Sequence, residues 1–439
     1  GFIVQLIPMK DNYHEFSEML TLAQSLSPHY RIGAPWLYLS ACGDPEKNKE
    51  IIEQRLSPVD AIELDKPDMS FEDGANSEDG HCCGNSANDE YFFSSCVATR
   101  PKFHIDPYAQ MSFCSFIKDP AFRYDLKKGS FKECWEEFIP SLAKKVSVNS
   151  EYLTHCGSCE LRSNCWQCSG YSYLEHRRFS AKIEYMCAMA REERKFIEMW
   201  KKEHRHYYNV AGITLQVDSD LPITDNTFQP KFKHFLADGS GKDTITIRHH
   251  FSFPELNGKN LGKVVHQGPL WAIYKKGDSW IYRGIPSDAE DKSLDRIAVF
   301  NHDHTRARIY SNGKESFLAG NLHSLTLLSS DQIMLARVLA DREGCYFHAS
   351  GVSLDGQGLL FAGYSGAGKS TVAKMLRERA KILGDDRIIV RRQKSACPGN
   401  HNWQAEEDSL PWLLQQAGQG NQKSDFLMYG AWGHGDEES

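Results

Sequence analysis

Four cysteines within thirteen residues constrain this chain more than any other feature of its sequence. The stretch CGSCELRSNCWQC places them at Cys156, Cys159, Cys165 and Cys168. Two CxxC pairs that share one tetrahedral zinc ion are usually separated by a dozen or more residues, so that two knuckles can face each other. Iron–sulfur clusters accept more closely spaced thiolates and often take one ligand from a distant part of the chain. Zinc stays possible here, but the spacing favours an iron–sulfur site.

Further cysteines are available as distant ligands. They are Cys82, Cys83, Cys96, Cys114 and Cys187. With one member of the vicinal pair included, the region offers eight thiolates, which is enough for two four-iron clusters. Eleven of the thirteen cysteines lie before residue 190, a distribution that argues against a disulfide-rich secreted protein. We therefore predict reduced, metal-binding cysteines in a cytoplasm. The isolated cysteines predicted to be packing residues are Cys42, Cys134, Cys345 and Cys397.

The order of the cysteines resembles the SPASM domain, the C-terminal extension of radical SAM maturases. Residues 96–114, CVATRPKFHIDPYAQMSFC, are similar to the opening hairpin of that domain, although Ala109 stands where the family usually has glycine. The last in-line gap is two residues instead of the usual three. The resemblance implies one 4Fe-4S cluster bound by Cys156, Cys159, Cys165 and Cys187. It implies a second cluster bound by Cys96, Cys114, Cys168 and one of the pair Cys83 or Cys82, of which Cys83 is our choice.

Residues 1–65 alternate strand and helix patterns. FIVQLIPM, RIGAPWLYLSAC and DAIELD predict strands, whereas NYHEFSEMLTLAQSL and KNKEIIEQRL predict helices. Repeated βα units predict a parallel sheet, and beside the SPASM resemblance they resemble the last strands of a radical SAM barrel. The Cys-x3-Cys-x2-Cys triad of that family does not occur in this sequence. We expect a fragment of a longer protein, with S-adenosylmethionine a cofactor only of the full-length form.

The remaining patterns predict one further helical and one β-rich region. Ser130 and Glu133 fit a capping box for a helix that Pro140 should interrupt. Residues 181–208 predict a long amphipathic helix that carries Cys187. From residue 208 onward, alternating apolar and polar residues predict a β-rich block, which the helix pattern SSDQIMLARVLADREG closes. Residues 393–425 have loop composition.

A phosphate-binding motif follows this block. GLLFAGYSGAGKSTVAKML contains G-x4-G-K-[ST], with an apolar strand before it and a helical pattern after it, which is the context that makes the motif specific. Backbone N–H groups would surround the phosphates, Lys369 would reach the β- and γ-phosphates, and Ser370 would bind Mg²⁺. The predicted ATP-binding residues are Gly363, Ser365, Gly366, Ala367, Gly368, Lys369, Ser370 and Thr371.

Residues on both sides of this motif carry a second resemblance. His348 precedes the loop in the sequence HAS, and Asp385 and Asp386 follow it in the sequence DDR. Together with the loop they resemble the C-terminal domain of HPr kinase/phosphorylase, which transfers phosphate from a nucleotide to a protein serine. The resemblance implies that one of the two aspartates orients or deprotonates the acceptor hydroxyl or helps to bind Mg²⁺, and that His348 lies near the phosphates. Thr371 stands where family members often have an acidic residue.

The sequence as a whole predicts a mixed α/β protein in four parts. They are the end of a radical SAM barrel (1–80), a SPASM domain (81–204), the β-rich first part of a kinase-like domain (205–339) and its P-loop α/β part (340–439). The predicted function is maturation of a peptide or small protein, with two 4Fe-4S clusters, ATP and Mg²⁺. A non-catalytic iron–sulfur and nucleotide-binding module, or a zinc protein with an NTPase domain, stays open.

Charge and hydropathy bear on partners and location. The net charge of −7 gives no general reason to expect a nucleic-acid partner. No apolar run approaches the length of a membrane span. A cytoplasmic protein without nucleic-acid or membrane partners is therefore predicted.

Overall fold

The structure is a computed structural model, and it divides the chain into two compact units, residues 1–199 and residues 200–439. It contains both helices and sheets and is thus of the mixed α/β class. Among the described residues, no helix combines the length and apolarity needed to cross a membrane. The described residues are 2–34, 37–67, 69, 97, 102–145, 153–252, 261–268, 271–284, 296–326, 330–392 and 426–432.

The first unit begins with a βαβ arrangement. Strands β1 (Val4–Leu6) and β2 (Tyr30–Ile32) pair in parallel, and the helix Phe16–Leu26 connects them. This parallel pair is what the alternating pattern predicts. Leu6, Phe16 and Ala23 form its small buried cluster. A 3₁₀ turn, Lys10–Glu15, precedes the helix.

Two short helices follow, and one of them corrects a prediction. Pro45–Gln54 is helical as expected. DAIELD was predicted to be a strand, but it belongs to the helix Pro58–Leu64. The physical reason lies just before it: the Ser57 side chain accepts a hydrogen bond from the Asp60 backbone N–H, and Pro58 occupies the first helical position. The capping hydrogen bond and the proline favour a helix more strongly than the short apolar pattern favours a strand.

The cysteine-rich part of the first unit contains a small antiparallel sheet, β3 (His104–Ile105), β4 (Gln110–Ser112) and β5 (Tyr124–Asp125). The predicted hairpin is formed by β3 and β4. Ala109 lies in its turn with φ 65°, a left-handed conformation that favours glycine. The other helical segments are Pro120–Phe122, Phe131–Glu133, Cys134–Phe138, Ile139–Lys145, Leu153–Gly157, Arg162–Asn164, Ser169–His176 and Glu184–His204.

The capping box predicted from Ser130 and Glu133 is confirmed, because each residue's side chain accepts from the other's backbone N–H. The expected interruption at Pro140 takes a milder form. Residues Cys134–Phe138 wind as a π-helix, and Ile139–Lys145 then continues as an α-helix. Since proline lacks an N–H, a local change of hydrogen-bonding period accommodates it without ending the helix.

The second unit contains a nine-stranded sheet in the order β10-β11-β12-β13-β14-β9-β7-β6-β8. The predicted β-rich block is thus confirmed, and the helix Ser330–Ala340 follows it as expected. A short helix, Glu315–Ala319, and a 3₁₀ turn, Pro230–Phe235, also lie here. The strands are β6 Arg205–Val210, β7 Ile213–Ser219, β8 Leu236–Ala237, β9 Thr244–His250, β10 Lys263–Gln267, β11 Trp271–Lys276, β12 Ser279–Gly284, β13 Arg296–Phe300 and β14 Arg306–Ser311.

A second, five-stranded sheet positions the phosphate-binding motif. Its central strand β15 pairs antiparallel with β16, β17 and β18. Ile389 of β18 and Trp432 belong to the same buried cluster as Ile213 and Ile245 of the nine-stranded sheet, so one core serves both sheets. The elements are β15 Gly344–Leu354, β16 Gln357–Ala362, the helix Lys369–Met375, β17 Lys381–Gly384, β18 Arg387–Arg392 and β19 Phe426–Gly430.

Candidate functional sites

Four of the predicted cluster ligands lie in one neighbourhood of the first unit. Cys156 ends a π-helical turn, Cys159 and Cys165 flank the 3₁₀ turn Arg162–Asn164, and Cys187 lies in the first turn of the helix Glu184–His204. Burial, together with the nearby Cys187, Cys165 and Cys159, raises the pKa of the Cys156 thiol to about 11. Thiolate charges affect each other in this way only at short range. Folding therefore brings the four thiols together.

Burial and neighbouring groups shift the pKa values of two further thiols of this first group. Burial raises the pKa of Cys165 to about 11, whereas a hydrogen bond from the Gln167 backbone N–H lowers it. Burial raises the pKa of Cys187, and the nearby Lys182 ammonium group partly opposes this shift. The side chains of all four cysteines are partly covered.

Cys114 and Cys168 form a second neighbourhood. Cys114 follows β4, and Cys168 is the N-cap residue of the helix Ser169–His176. They meet at Gly170, where a Cβ atom would lie 3.4 Å from Cys114 Sγ and 3.6 Å from Cys168 Sγ. Cys168 adjoins the first group in sequence, yet in the fold it lies beside Cys114. This is the pairing that the SPASM resemblance implies for the second cluster.

Two buried residues follow Cys168 in the sequence. Gly170 is buried, and a Cβ atom there would be in van der Waals contact with both sulfurs and with the Phe116 ring. Ser169, next to Cys168, is 1% exposed, and its hydroxyl has no hydrogen-bond partner among the described residues.

The remaining predicted ligands, Cys83 or Cys82 and Cys96, lie outside the described residues, as does Cys397. Within the described part of the chain, no three His, Cys, Asp or Glu side chains are arranged to hold a single metal ion. Of the cysteines predicted to be packing residues, Cys134 is fully buried in a hydrophobic cluster. Cys42 and Cys345 are exposed, so that prediction is wrong for these two.

The phosphate-binding motif has the backbone that its sequence predicts. It connects β16 to the helix Lys369–Met375, and Gly366 and Gly368 have φ values of 84° and 83°. A Cβ atom at either glycine would meet nothing within 4 Å, so the loop borders open space. Lys369 is 9% exposed, and its ammonium group donates to the Gly363 and Tyr364 carbonyl oxygens at 3.0 Å each. The lysine is thus held inside the loop that would surround the phosphates.

The predicted acidic residues lie at the same end of the five-stranded sheet. Asp385 and Asp386 form the bend between β17 and β18. The Asp385 carbonyl oxygen accepts from the Ser350 hydroxyl at 2.8 Å and lies 3.5 Å from the Ser370 hydroxyl. The hydroxyl of Ser370, the predicted Mg²⁺ ligand, therefore lies near the backbone of the aspartate pair.

His348, Asp386 and Arg387 form a linked group. His348 Nε2 lies 3.1 Å from Asp386 Oδ1, and Arg387 Nη1 donates to the same oxygen at 2.8 Å. The pairing of His348 with Arg387 across β15 and β18 fixes this arrangement. His348 is half exposed, whereas Asp386 is partly covered. A carboxylate held between an arginine and a histidine can accept a hydrogen bond or a proton from an incoming hydroxyl.

Sequence reasoning missed two residues of these sites. Arg387 was visible in the DDR sequence, but nothing there showed that it would bind the preceding carboxylate. Gly170 gave no signal, because its importance depends on Cys114, which is more than fifty residues away in sequence. No protein-family model matches the chain, and no curated protein matches it closely enough to count as a relative.

Proposed function

We propose that this chain is part of a peptide or protein maturation protein that binds two auxiliary 4Fe-4S clusters of the radical SAM SPASM type. Its second unit is an ATP- and Mg²⁺-binding domain of the HPr serine kinase type. The observation that carries the proposal is the division of the cysteines. Consecutive in-line cysteines separate into two neighbourhoods, one with the distant Cys187 and one with the distant Cys114.

The first cluster takes its ligands from Cys156, Cys159, Cys165 and Cys187. The second takes Cys114 and Cys168, with Cys96 and Cys83 or Cys82 completing it. Such clusters supply one-electron transfer or a site at which a peptide is positioned. Because the sequence lacks a Cys-x3-Cys-x2-Cys triad, the proposal assigns no cleavage of S-adenosylmethionine to these residues. Residues 1–80 belong in this proposal to the end of a radical SAM barrel.

The second unit provides the groups for phosphoryl transfer. The loop from Gly363 to Gly368 binds the phosphates through its backbone, Lys369 leaves its carbonyl partners to contact them, and Ser370 with the Asp385–Asp386 bend binds Mg²⁺. Asp386 then orients the hydroxyl of a peptide or small protein, and His348 lies between it and solvent. The proposed setting is the cytoplasm, where thiols stay reduced.

The clusters are tested by anaerobic purification with iron and sulfide quantitation. We expect a brown protein that absorbs near ~400 nm and carries about eight irons per chain. A colourless protein that contains zinc instead would refute the iron–sulfur assignment.

A matched pair of cysteine variants tests the ligand set. Cys187→Ser should lower the iron content by about half, because one of two four-iron clusters loses a ligand. Cys42 is exposed and belongs to neither neighbourhood, so Cys42→Ser should leave the iron content unchanged. Equal iron content in the two variants would show that Cys187 is not a ligand.

The nucleotide site is tested by ATP binding and by phosphate transfer to candidate peptides. Lys369→Ala should weaken ATP binding roughly 10- to 100-fold, since hydrogen bonds to charged groups contribute about 1.5–3 kcal/mol. The control Lys374→Ala changes an exposed lysine of the same helix and should bind ATP normally. Asp386→Asn should keep ATP binding and abolish transfer. Tight ATP binding by a wild-type chain that never transfers phosphate would favour a non-catalytic nucleotide-binding module instead.

A further inference from the structure

Ser350 is a fully buried residue of the five-stranded sheet that the proposed nucleotide site does not use. It lies in β15 and is 0% exposed. On one side it pairs with Phe361 of β16, the strand that leads into the phosphate-binding loop. Its hydroxyl donates at 2.8 Å to the Asp385 carbonyl oxygen, which belongs to the bend between β17 and β18. Ser350 therefore connects the two parts of the chain that form the proposed site.

Three successive residues of β15 bind this bend. His348 Nε2 lies 3.1 Å from Asp386 Oδ1, and the Ala349 backbone N–H donates to the Asp386 carbonyl oxygen at 3.1 Å. Because alternate residues of a strand lie on the same face, His348 and Ser350 contact the bend from one side of the sheet. The first two contacts hold Asp386, whereas the hydrogen bond from Ser350 holds Asp385.

The Asp385 carbonyl oxygen also faces Ser370. The Ser370 hydroxyl lies 3.5 Å from it, which is longer than the ~2.7–2.8 Å of an ordinary hydrogen bond between a hydroxyl and an oxygen. A carbonyl oxygen has two lone pairs. Ser350 takes one of them, so the second can accept from Ser370.

The contact between Ser370 and Asp385 should strengthen when the Ser370 oxygen binds a metal ion. A hydroxyl that binds Mg²⁺ through its oxygen still has a proton to donate, and the nearby cation makes it a better donor. A Mg²⁺ ion at a nucleotide takes many of its ligands from phosphates and water, so the protein needs to supply few.

We propose that Ser350 is a positioning residue of the nucleotide site. By fixing the Asp385 carbonyl oxygen, it provides the acceptor for the hydroxyl proton of Ser370 when the Ser370 oxygen binds Mg²⁺. The inference rests on the proposed function, because it requires that Ser370 is a Mg²⁺ ligand.

The experiment is isothermal titration calorimetry of the full chain with ATP, with Mg²⁺ present and with Mg²⁺ removed by EDTA. The measured quantity is the Mg²⁺ gain, the factor by which Mg²⁺ tightens ATP binding. Ser350→Ala should reduce this gain roughly 3- to 10-fold, as expected for the loss of one hydrogen bond, and should leave Mg²⁺-free ATP binding unchanged. A general defect in folding would weaken both. Ser350→Cys fills nearly the same space but donates only weakly, so it should reduce the gain in the same way.

A double-mutant cycle tests whether Ser350 acts through Ser370. Ser370→Ala should reduce the Mg²⁺ gain by itself, and adding Ser350→Ala should change it little further, because both hydroxyls act on one carbonyl oxygen. Additive losses would mean that the two serines act independently and would overturn the inference.

Ser353 provides the matched control. It is 6% exposed in the same strand, and it pairs with Lys381, at the end of β17 that lies away from the bend. Ser353→Ala should keep the wild-type Mg²⁺ gain, and an equal loss there would overturn the inference by assigning the effect to strand packing. An unchanged gain in Ser350→Ala overturns this inference alone. A wild-type chain that binds ATP equally well with and without Mg²⁺ contradicts the proposed Mg²⁺ site as well.

Discussion

The two units of the chain use different means to hold their folds together. In the described part of residues 200–439, one large buried cluster joins the nine-stranded sheet, the helix Ser330–Ala340 and the five-stranded sheet, and a smaller cluster of Ala349, Leu383 and Ile388 lies in the five-stranded sheet. In the described part of residues 1–199, the buried apolar residues fall into three separate clusters. The cysteine neighbourhoods lie in this first unit, among short turns and short helices.

This difference suggests what each unit needs in order to fold. A continuous aliphatic core supplies the main stabilising free energy of a domain by itself. Metal binding adds folding free energy to the segments that supply its ligands. The proposed clusters would therefore stabilise the first unit, whereas the second unit has its large core without them.

The largest expected effect therefore comes from removing the metal. Chelation of iron under reducing conditions should lower hydrogen-exchange protection in the segment from Leu153 to His176 on the order of a hundredfold or more, because metal binding is coupled to folding. The strands β7 and β9 of the second unit should keep their protection. Peptide-resolved mass spectrometry measures the hydrogen-exchange protection of both units in one experiment. Equal loss of protection in both units would show that the comparison is wrong.

A smaller effect should distinguish the units by pH. Burial lowers the pKa of His249 in the second unit to about 4, and its Nε2 lies 2.9 Å from the Leu325 carbonyl oxygen. An unfolded histidine has a pKa near ~6.5, so the folded state binds fewer protons between these values. The neutral His249 ring thus stabilises the fold at neutral pH. As the pH falls from about 6.5 to 4, the free energy of unfolding should decrease by on the order of 3 kcal/mol.

The variant His249→Gln keeps a hydrogen-bond donor but cannot titrate. Urea unfolding at pH 7 and at pH 4.5 should show a smaller loss of stability for this variant than for the wild type. In the first unit, burial raises the pKa of Asp65 to about 6, and this shift acts on stability in the opposite direction. The protonated carboxyl stabilises the folded state at low pH, and that stabilisation is lost as the pH rises through about 6. An acid loss as steep in His249→Gln as in the wild type would exclude His249 as its cause.

Much of the architecture could be predicted because local signals agreed with the tertiary structure. The capping box at Ser130, the strand–loop–helix context of Lys369 and the alternation in the second unit each depend on nearby residues. The grouping of Cys187 with the in-line cysteines followed from family resemblance, and spacing alone could not have given it.

The errors show where such local reasoning stops. DAIELD has too few residues to show a helical period, and its cap, Ser57 and Pro58, lies outside the pattern. The position of Gly170 beside Cys114 arises only when two distant segments pack together. The hydrogen bonds from Arg387 to Asp386 likewise depend on the bend that joins β17 and β18.

The smallest expected effect concerns the hairpin of the first unit. Ala109 has φ 65°, a conformation that costs an L-residue about 1–2 kcal/mol and costs glycine almost nothing. Glycine, however, gives the unfolded chain more freedom, which offsets about 0.4–1 kcal/mol of the gain. Ala109→Gly should therefore stabilise the first unit by up to about 1 kcal/mol in urea unfolding of the cluster-loaded protein. Gly239, by contrast, is not among the positive-φ glycines, and a Cβ atom there would meet nothing within 4 Å, so Gly239→Ala should bring no comparable backbone penalty. A clear loss of stability in Ala109→Gly would mean that the turn is not left-handed at this position.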